Sequence, residues 1–402
     1  MSFSIPLARE RNCCSYYSIT FYTNAELYYE HAIPFLTQKL AENNALLGVS
    51  RSCVLTPQRY PERFLMIIRR QEEELEQMRS DHHSSEELRN GMDQTMKRVP
   101  SCSISTDTGP IAMVMIWTLP YRLLLSAPSL DQTLQERHFI LSAWMDLFLN
   151  IGNAQEKMKL YCRESCEEIE HLMKKYGRAV NGVMTDNLEA EWFAKEYGEK
   201  LKNVVENFGN EPNIEIFKLR VYSLKANDIR PCRDLEKQQE RYVFSYLDLN
   251  NAKQLEIYIQ FLDQFMTEIF PNQKKKSKED YLENIIKGVL KNGFATLCYE
   301  KGDDQEKTPI CIALVTGIPK AGRVSSVYTS KSQRGKGVAS FLMYSMAIDV
   351  LKNHGDAYEA LFLFTDLTNP TSNSIYMNIG YKPVRDMYDL EINYVKQQDE
   401  HR

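Results

Sequence analysis

The sequence predicts an α/β protein built as two domains, and three observations carry that expectation. The chain has 402 residues, about twice the length of an ordinary domain. Its second half alternates short apolar, β-branched and aromatic runs with stretches of helical spacing, as a sheet flanked by helices requires. At Arg323 to Ile348, "RVSSVYTSKSQRGKGVASFLMYSMAI", a strand-like run enters a polar loop with two glycines, and that loop opens directly into an apolar helix.

Composition narrows the class. The chain is 43% hydrophobic and 26% charged with a net charge of -5, so no basic excess points to nucleic acid. The longest apolar run, Ile111 to Leu119, falls well short of the roughly 20 residues of a membrane helix. The start "MSFSIPLARERNCCSYY" has no apolar core of a secretory signal. Nine cysteines without zinc-like CxxC pairs fit reduced thiols in a cytoplasmic compartment. Cys13 with Cys14, and Cys162 with Cys166, read as thiols rather than a metal site, and no metal is expected.

Along the chain, helical spacing begins at Ala25 to Ala41, where Pro34 is expected to break or kink the helix. A strand follows at Arg63 to Arg69. The run Gln71 to Arg98 is charged on nearly every face and reads as an exposed insertion, extending to about residue 106. His82 and His83 within it read as a solvated pair. Strands follow at Ile111 to Thr118 and Tyr121 to Ser126, helices at Gln155 to Tyr176 and Leu188 to Asn207, and a strand at Ile214 to Leu224. The charged "KANDIRPCRDLEKQQERY" is the linker candidate, placing a boundary near residue 235, with domains 1–235 and 236–402. Beyond it come helices at Ala252 to Phe270 and Lys278 to Lys291, then strands at Phe294 to Glu300, Ile310 to Thr316 and Val324 to Thr329. Helix Gly337 to Lys352, strand Ala360 to Thr365, helix Thr371 to Ile379 and strand Tyr381 to Val384 complete the chain.

The glycine loop has a physical reading of its own. Gly335 and Gly337 let backbone N–H groups approach a ligand closely. They stand at a helix mouth, where unpaired N–H groups and the helix dipole favour an anion. Arg334 and Lys336 add positive charge. A P-loop requires Ser or Thr after its lysine, whereas Gly337 follows Lys336; a GxGxxG fingerprint fails because Ser340 stands at the third glycine. Alone, the loop also fits a basic turn with no ligand.

The segment Leu363 to Val384, "LFTDLTNPTSNSIYMNIGYKPV", carries a second pattern. Asn369 suits an N-cap, Pro370 the first helical turn and Gly380 the exit. Ser372, Asn373 and Tyr376 share one helix face. Tyr376 is either a packed tyrosine or a functional one.

Together, "RGKGVA" (Arg334 to Ala339) and this second segment, in order and at this spacing, resemble the GNAT superfamily of acyl-CoA-dependent N-acetyltransferases. More loosely, "AIPFLTQKLAENNALLGV", "WTLPYRLLLS", "AVNGVMTDNLEAEWFAKEY" and "FKLRVYSL" resemble the first half of a two-domain subgroup whose degenerate N-terminal half precedes the half with the cofactor motifs; the charged insertion departs from that pattern. The resemblance implies two GNAT-like domains, each a mixed, mostly antiparallel twisted sheet flanked by helices. No second RGxGxA loop precedes residue 235, so one site is expected.

The resemblance further implies acetyl-CoA as acyl donor, with Val327, Tyr328, Thr329, Arg334, Gly335, Lys336, Gly337, Val338, Ala339, Asn369, Ser372, Asn373 and Tyr376 around it. A backbone N–H near Val327 and Tyr328 would steady the oxyanion, and Tyr376 would protonate the departing thiolate. Asp366 is the nearest motif carboxylate for a base; it equally suits a cap on the following turn. The acceptor is a primary amine of a small molecule or a protein. A module that binds coenzyme A without turnover is the alternative.

Overall fold

The computed structural model describes residues 2–9, 15–72, 109–118, 121–129, 131–149, 180–204, 213–269, 275–302, 308–353 and 357–393. Most of the charged insertion, the expected helix Gln155 to Tyr176, the His82–His83 pair and both cysteine pairs lie outside these residues.

Among the described residues, thirteen strands form one sheet. The first half contributes β1 (Ser2–Arg9), β2 (Ser15–Tyr22), β3 (Arg63–Glu72), β4 (Ile111–Thr118), β5 (Leu123–Leu125), β6 (Gly182–Thr185) and β7 (Asn213–Lys225). The second contributes β8 (Tyr242–Tyr246), β9 (Phe294–Glu300), β10 (Pro309–Ile318), β11 (Ala321–Thr329), β12 (Ala360–Asp366) and β13 (Lys382–Asn393). Their order is β1-β2-β3-β4-β5-β6-β13-β7-β12-β11-β10-β9-β8. All pairs are antiparallel except β5 with β6 and β11 with β12.

That order contains an internal repeat and an exchange. Inward from β2, four antiparallel strands lead to a parallel partner, β6, and then to β13. Inward from β8, four antiparallel strands lead to a parallel partner, β12, and then to β7. Each half therefore donates its last strand to the other's side. β7 and β13 pair antiparallel from Lys382↔Ser223 to Asn393↔Asn213, along the middle of the sheet.

Helices cover both faces. Leu134–Phe148 and Asn187–Val204 seal a core containing Trp117, Trp144 and Leu390 of the exchanged β13. Ala25–Leu36 and Asn44–Leu55 cover the opposite face and reach across to Ile318, Ala321 and Phe362 of the second half. In the second half, Val338–Ile348 packs on one face with Val324, Leu361 and Leu363. On the other face, Tyr258, Phe261 and Leu262 of helix Ala252–Ile269 pack with Leu297, Leu314 and Tyr328.

Several elements differ from expectation. The first helix continues through Pro34 and ends at Leu36, passing into a 3₁₀ turn at Thr37–Lys39. Proline so close to the end removes little of the hydrogen-bond ladder. β5 is shorter than Tyr121 to Ser126, and β13 runs nine residues beyond Val384 because it is held from both sides. Helices Asn44–Leu55 and Leu134–Phe148 were not anticipated. Within the expected linker, Leu235–Arg241 is helical. Among the described residues, no helix is long and apolar enough to cross a membrane.

Candidate functional site

The site begins where two parallel strands part. β11 pairs with β12 only from Ala321↔Ala360 to Val324↔Leu363. Beyond Val324, β11 follows β10 to Thr329, while β12 continues beside β7 to Asp366↔Leu219. A wedge-shaped gap opens between them.

At the root of this gap lies a β-bulge. Ile312 faces Tyr328 and Leu314 faces Ser325, so Ala313 alone stands against both Ser326 and Val327. Ser326 has φ 51°, a left-handed conformation that costs a non-glycine residue about 1–3 kcal/mol. Such strain persists where the surroundings over-determine it, and a bulge redirects backbone groups out of the ladder. The Ala313 carbonyl accepts from the buried Tyr258 hydroxyl at 2.9 Å, which fixes the partner strand at the bulge.

The glycine loop caps the same end of β11. A 3₁₀ turn at Lys331–Gln333 leads to Arg334, whose Nε donates to the Thr329 carbonyl at 3.1 Å. Gly335 and Gly337 have φ of 76° and 81°, which glycine alone adopts without strain. A Cβ on Gly335 would meet nothing within 4 Å, so open space lies over this backbone. A Cβ on Gly337 would come within 2.3 Å of Gln238 Nε2. Gln238, on the linker helix, is held by the Arg233 carbonyl at 2.8 Å. Gly337 is the N-cap of Val338–Ile348, whose Val338 and Phe341 are buried. Arg334, Gly335 and Lys336 are exposed. An open, cationic backbone cradle at a helix mouth fits a diphosphate.

Arg334 has a partner that sequence reading missed. Its Nη1 and Nη2 donate to Glu268 at 2.7 and 2.9 Å, and its guanidinium lies 5.2 Å from the Tyr328 ring centroid. Arg334 holds the Glu268 carboxyl below its ordinary pKa. Both side chains are about two-fifths exposed, so the pair is worth at most about 1 kcal/mol. Nothing in the local sequence joins Glu268, at the end of another helix, to Arg334.

The second motif forms the far wall. Asn369 caps helix Pro370–Asn378, accepting from the Ser372 backbone N–H at 3.1 Å. Asn373 is buried and spent on structure: its Nδ2 donates to the carbonyls of Asp366 and Asn369, and its Oδ1 accepts from the Tyr222 hydroxyl at 2.9 Å. Tyr222 belongs to the exchanged β7, so the first half buttresses this wall. Asp366 Oδ1 accepts from the Thr368 N–H and hydroxyl, both at 2.7 Å, and thereby caps the turn after β12. Tyr376 is 9% exposed, with its ring 5.8 Å from that of Tyr381. Burial pushes the Tyr376 phenol above its ordinary pKa. The Tyr381 hydroxyl beside it is buried without a hydrogen-bond partner among the described residues.

The corresponding place in the first half has different chemistry. β5 and β6 pair only at Leu123↔Val183 and Leu124↔Met184. Helix Leu134–Phe148 then begins at Thr133, with no glycine in "SAPSLDQT" before it. Arg137 and Glu189, 1% and 0% exposed, form a two-bonded ion pair there at 2.5 and 2.9 Å. Arg137 also donates to the Ser126 carbonyl, beside the end of β5. In the first half, therefore, side chains tie helix Leu134–Phe148 to helix Asn187–Val204 and to the end of β5. Among the described residues, no group of three or more His, Cys, Asp or Glu is arranged to hold a metal.

Residues 259–381 match the family model of the acetyltransferase (GNAT) family, a span that contains the parted strands, the glycine loop and Tyr376. A search of curated proteins finds no match. Among solved structures, the chain is similar to a tandem GNAT protein from the clavulanic acid biosynthesis pathway, at 10% identity, 99% of this chain and 100% of that one covered, and a TM-score of 0.49. It is similar to a Drosophila protein at 9% identity, with 92% and 98% covered and a TM-score of 0.49. It is also similar to a GCN5-related N-acetyltransferase from Kribbella flavida, at 13% identity, 70% and 86% covered and a TM-score of 0.41.

Proposed function

We propose that the GNAT domain carried at residues 259–381 is catalytic, moving an acyl group, acetyl in the simplest case, from an acyl-CoA thioester to a primary amine. The observation that supports this most strongly is the combination of the parted β11 and β12 with the open backbone cradle at Gly335. The cradle and Arg334 would hold the donor's diphosphate. The wedge would receive the donor's arm and bring the thioester to the Ser326–Val327 bulge.

There the neutral amine attacks the thioester carbonyl, and a C–N bond forms as the C–S bond breaks. A backbone N–H redirected by the bulge steadies the oxyanion. Tyr376 donates its proton to the departing thiolate and is reprotonated from water. Its raised pKa keeps it protonated to about pH 10 and beyond, and burial that penalises a phenolate penalises a thiolate in the same dry site. With Asp366 engaged by Thr368, the amine's proton leaves through water. Juxtaposing amine and thioester supplies much of the acceleration.

Calorimetric titration with acetyl-CoA tests the donor side. One equivalent binds per chain, and Arg334→Glu loses the heat signal while its unfolding transition remains. Glu268→Gln binds about 5-fold more tightly, since removing a competing surface carboxylate frees roughly 1 kcal/mol. Binding that survives Arg334→Glu places the donor elsewhere.

A further inference from the structure

On the face of the sheet opposite helix Val338–Ile348, cations gather at the root of the wedge, and we infer from them that the acceptor is an amine that also carries a carboxylate, bound by Arg323. This rests on the acyltransferase reading and specifies its acceptor.

Val324 packs in the core with helix Val338–Ile348. The preceding Arg323, paired with Phe362, points to the other side, where Phe362 packs among the first half's helices. Its guanidinium carbon lies 5.4 Å from the Phe364 ring centroid. A Cβ built on Gly48, in helix Asn44–Leu55, would lie 3.9 Å from Arg323 Cδ and Nη1. Arg323 Nε is buried and has no hydrogen-bond partner among the described residues.

The surroundings do not neutralise it. Burial depresses the Arg323 pKa; of the charged groups acting on it, Arg59 depresses it further and the Tyr60 hydroxyl raises it. Arg59 lies 5.2 Å from the Tyr60 ring centroid; Lys276 is depressed by burial first and by Arg59 second, which Asp280 partly offsets. Tyr60 is buried edge-on to Tyr121 at 6.0 Å. The full charge acting on Arg323 is thus another cation, Arg59, beside the aromatic Tyr60 and Phe364.

Arg323 is half-buried, with its Nε cut off from water and unpartnered at a cost, and its planar fork matches a carboxylate with two parallel bonds. The donor's phosphates are not that partner: the glycine loop lies beyond Thr329, at the far end of β11. Arg323 instead stands three residues before the bulge, about 10 Å along the strand at most. An acceptor whose amine reaches the thioester at Ser326–Val327 can place its carboxylate on Arg323. The first half, through Gly48, Arg59 and Tyr60, walls the acceptor side.

Matched pairs of amines test this: glycine against glycinamide, and β-alanine and γ-aminobutyrate against their amides, each with acetyl-CoA, scored by thiol release. The acid of the favoured spacing exceeds its amide in kcat/KM on the order of 100-fold, and Arg323→Met erases that preference. Amides used as well as the acids overturn the inference, and the wild-type comparison decides even where the variant fails to fold. Direct titration of the same amines in the presence of coenzyme A separates the two readings. Binding of an acid that Arg323→Met abolishes, without any thiol release, keeps the carboxylate subsite and removes the transferase. Thiol release with no preference for acids does the reverse.

Discussion

Cut between residues 235 and 236, the protein yields two fragments that do not fold alone and that recover acetyl-CoA binding when mixed. The cause is the exchange of β7 and β13. The fragment 1–235 lacks β12 and β13, so β6 loses its partner on that side and β7 loses both of its neighbours. The core that holds Trp117 and Trp144 also loses Tyr388, Leu390 and Ile392. The fragment 236–402 lacks β7, which lies between β12 and β13, and with it the buried Val221, Tyr222 and Leu224. At roughly 1.5–3 kcal/mol for each large buried apolar side chain, three such losses are on the order of 6 kcal/mol. That is comparable to the whole stability of a domain, about 5–15 kcal/mol. Circular dichroism and thermal unfolding of each fragment provide the check; a cooperative transition in either fragment alone contradicts the exchange as a stability device.

Replacing Tyr376 with phenylalanine lowers kcat on the order of 100-fold, the lower range for a positioned acid, and leaves acetyl-CoA binding unchanged. The ring remains, so its packing against Tyr381 and the wall built on Asn373 persist; only the proton donor is lost. The pH profile separates this from a packing effect. Because burial raises the Tyr376 pKa, the wild-type rate keeps its acid as pH rises, with no alkaline fall from this group below about pH 10. In the variant, water must protonate the thiolate, and a thiol donor analogue with a better leaving group recovers more of the rate in the variant than in the wild type. Equal recovery in both assigns Tyr376 a packing role.

The local parts of this site were legible in the sequence because each depends on nearby residues. Two glycines between a strand and an apolar helix were read as an open backbone at a helix mouth, and Gly337 caps that helix with open space over Gly335. Asn369 followed by Pro370 announced a helix start, and Asn369 caps it. The exchange was not legible: β7 and β13 are both strands with apolar spacing, but nothing within either says that its neighbours come from the other half. β13 was cut short at Val384 because "RDMYDLEIN" looks polar; Tyr388, Leu390 and Ile392 point into one core at period 2, while Asp389 and Glu391 meet Arg122 on the other side. Contacts distant in sequence were equally hidden. Glu268 on Arg334, Gln238 on Gly337 and Tyr222 on Asn373 each join elements more than 60 residues apart. Asp366 carried two readings, and its bonds to Thr368 match the cap. The unpartnered Nε of Arg323 gave no sign in a strand that otherwise reads as ordinary.

Thiol release from acetyl-CoA, measured with and without a panel of primary amines, tests the proposed chemistry most directly. The expected result is slow release alone, a saturable increase with one class of amine, and one amide formed per thiol released. Acetyl-CoA that binds at one equivalent but releases no thiol with any amine, free or on a protein, would contradict it and leave a coenzyme A-binding module.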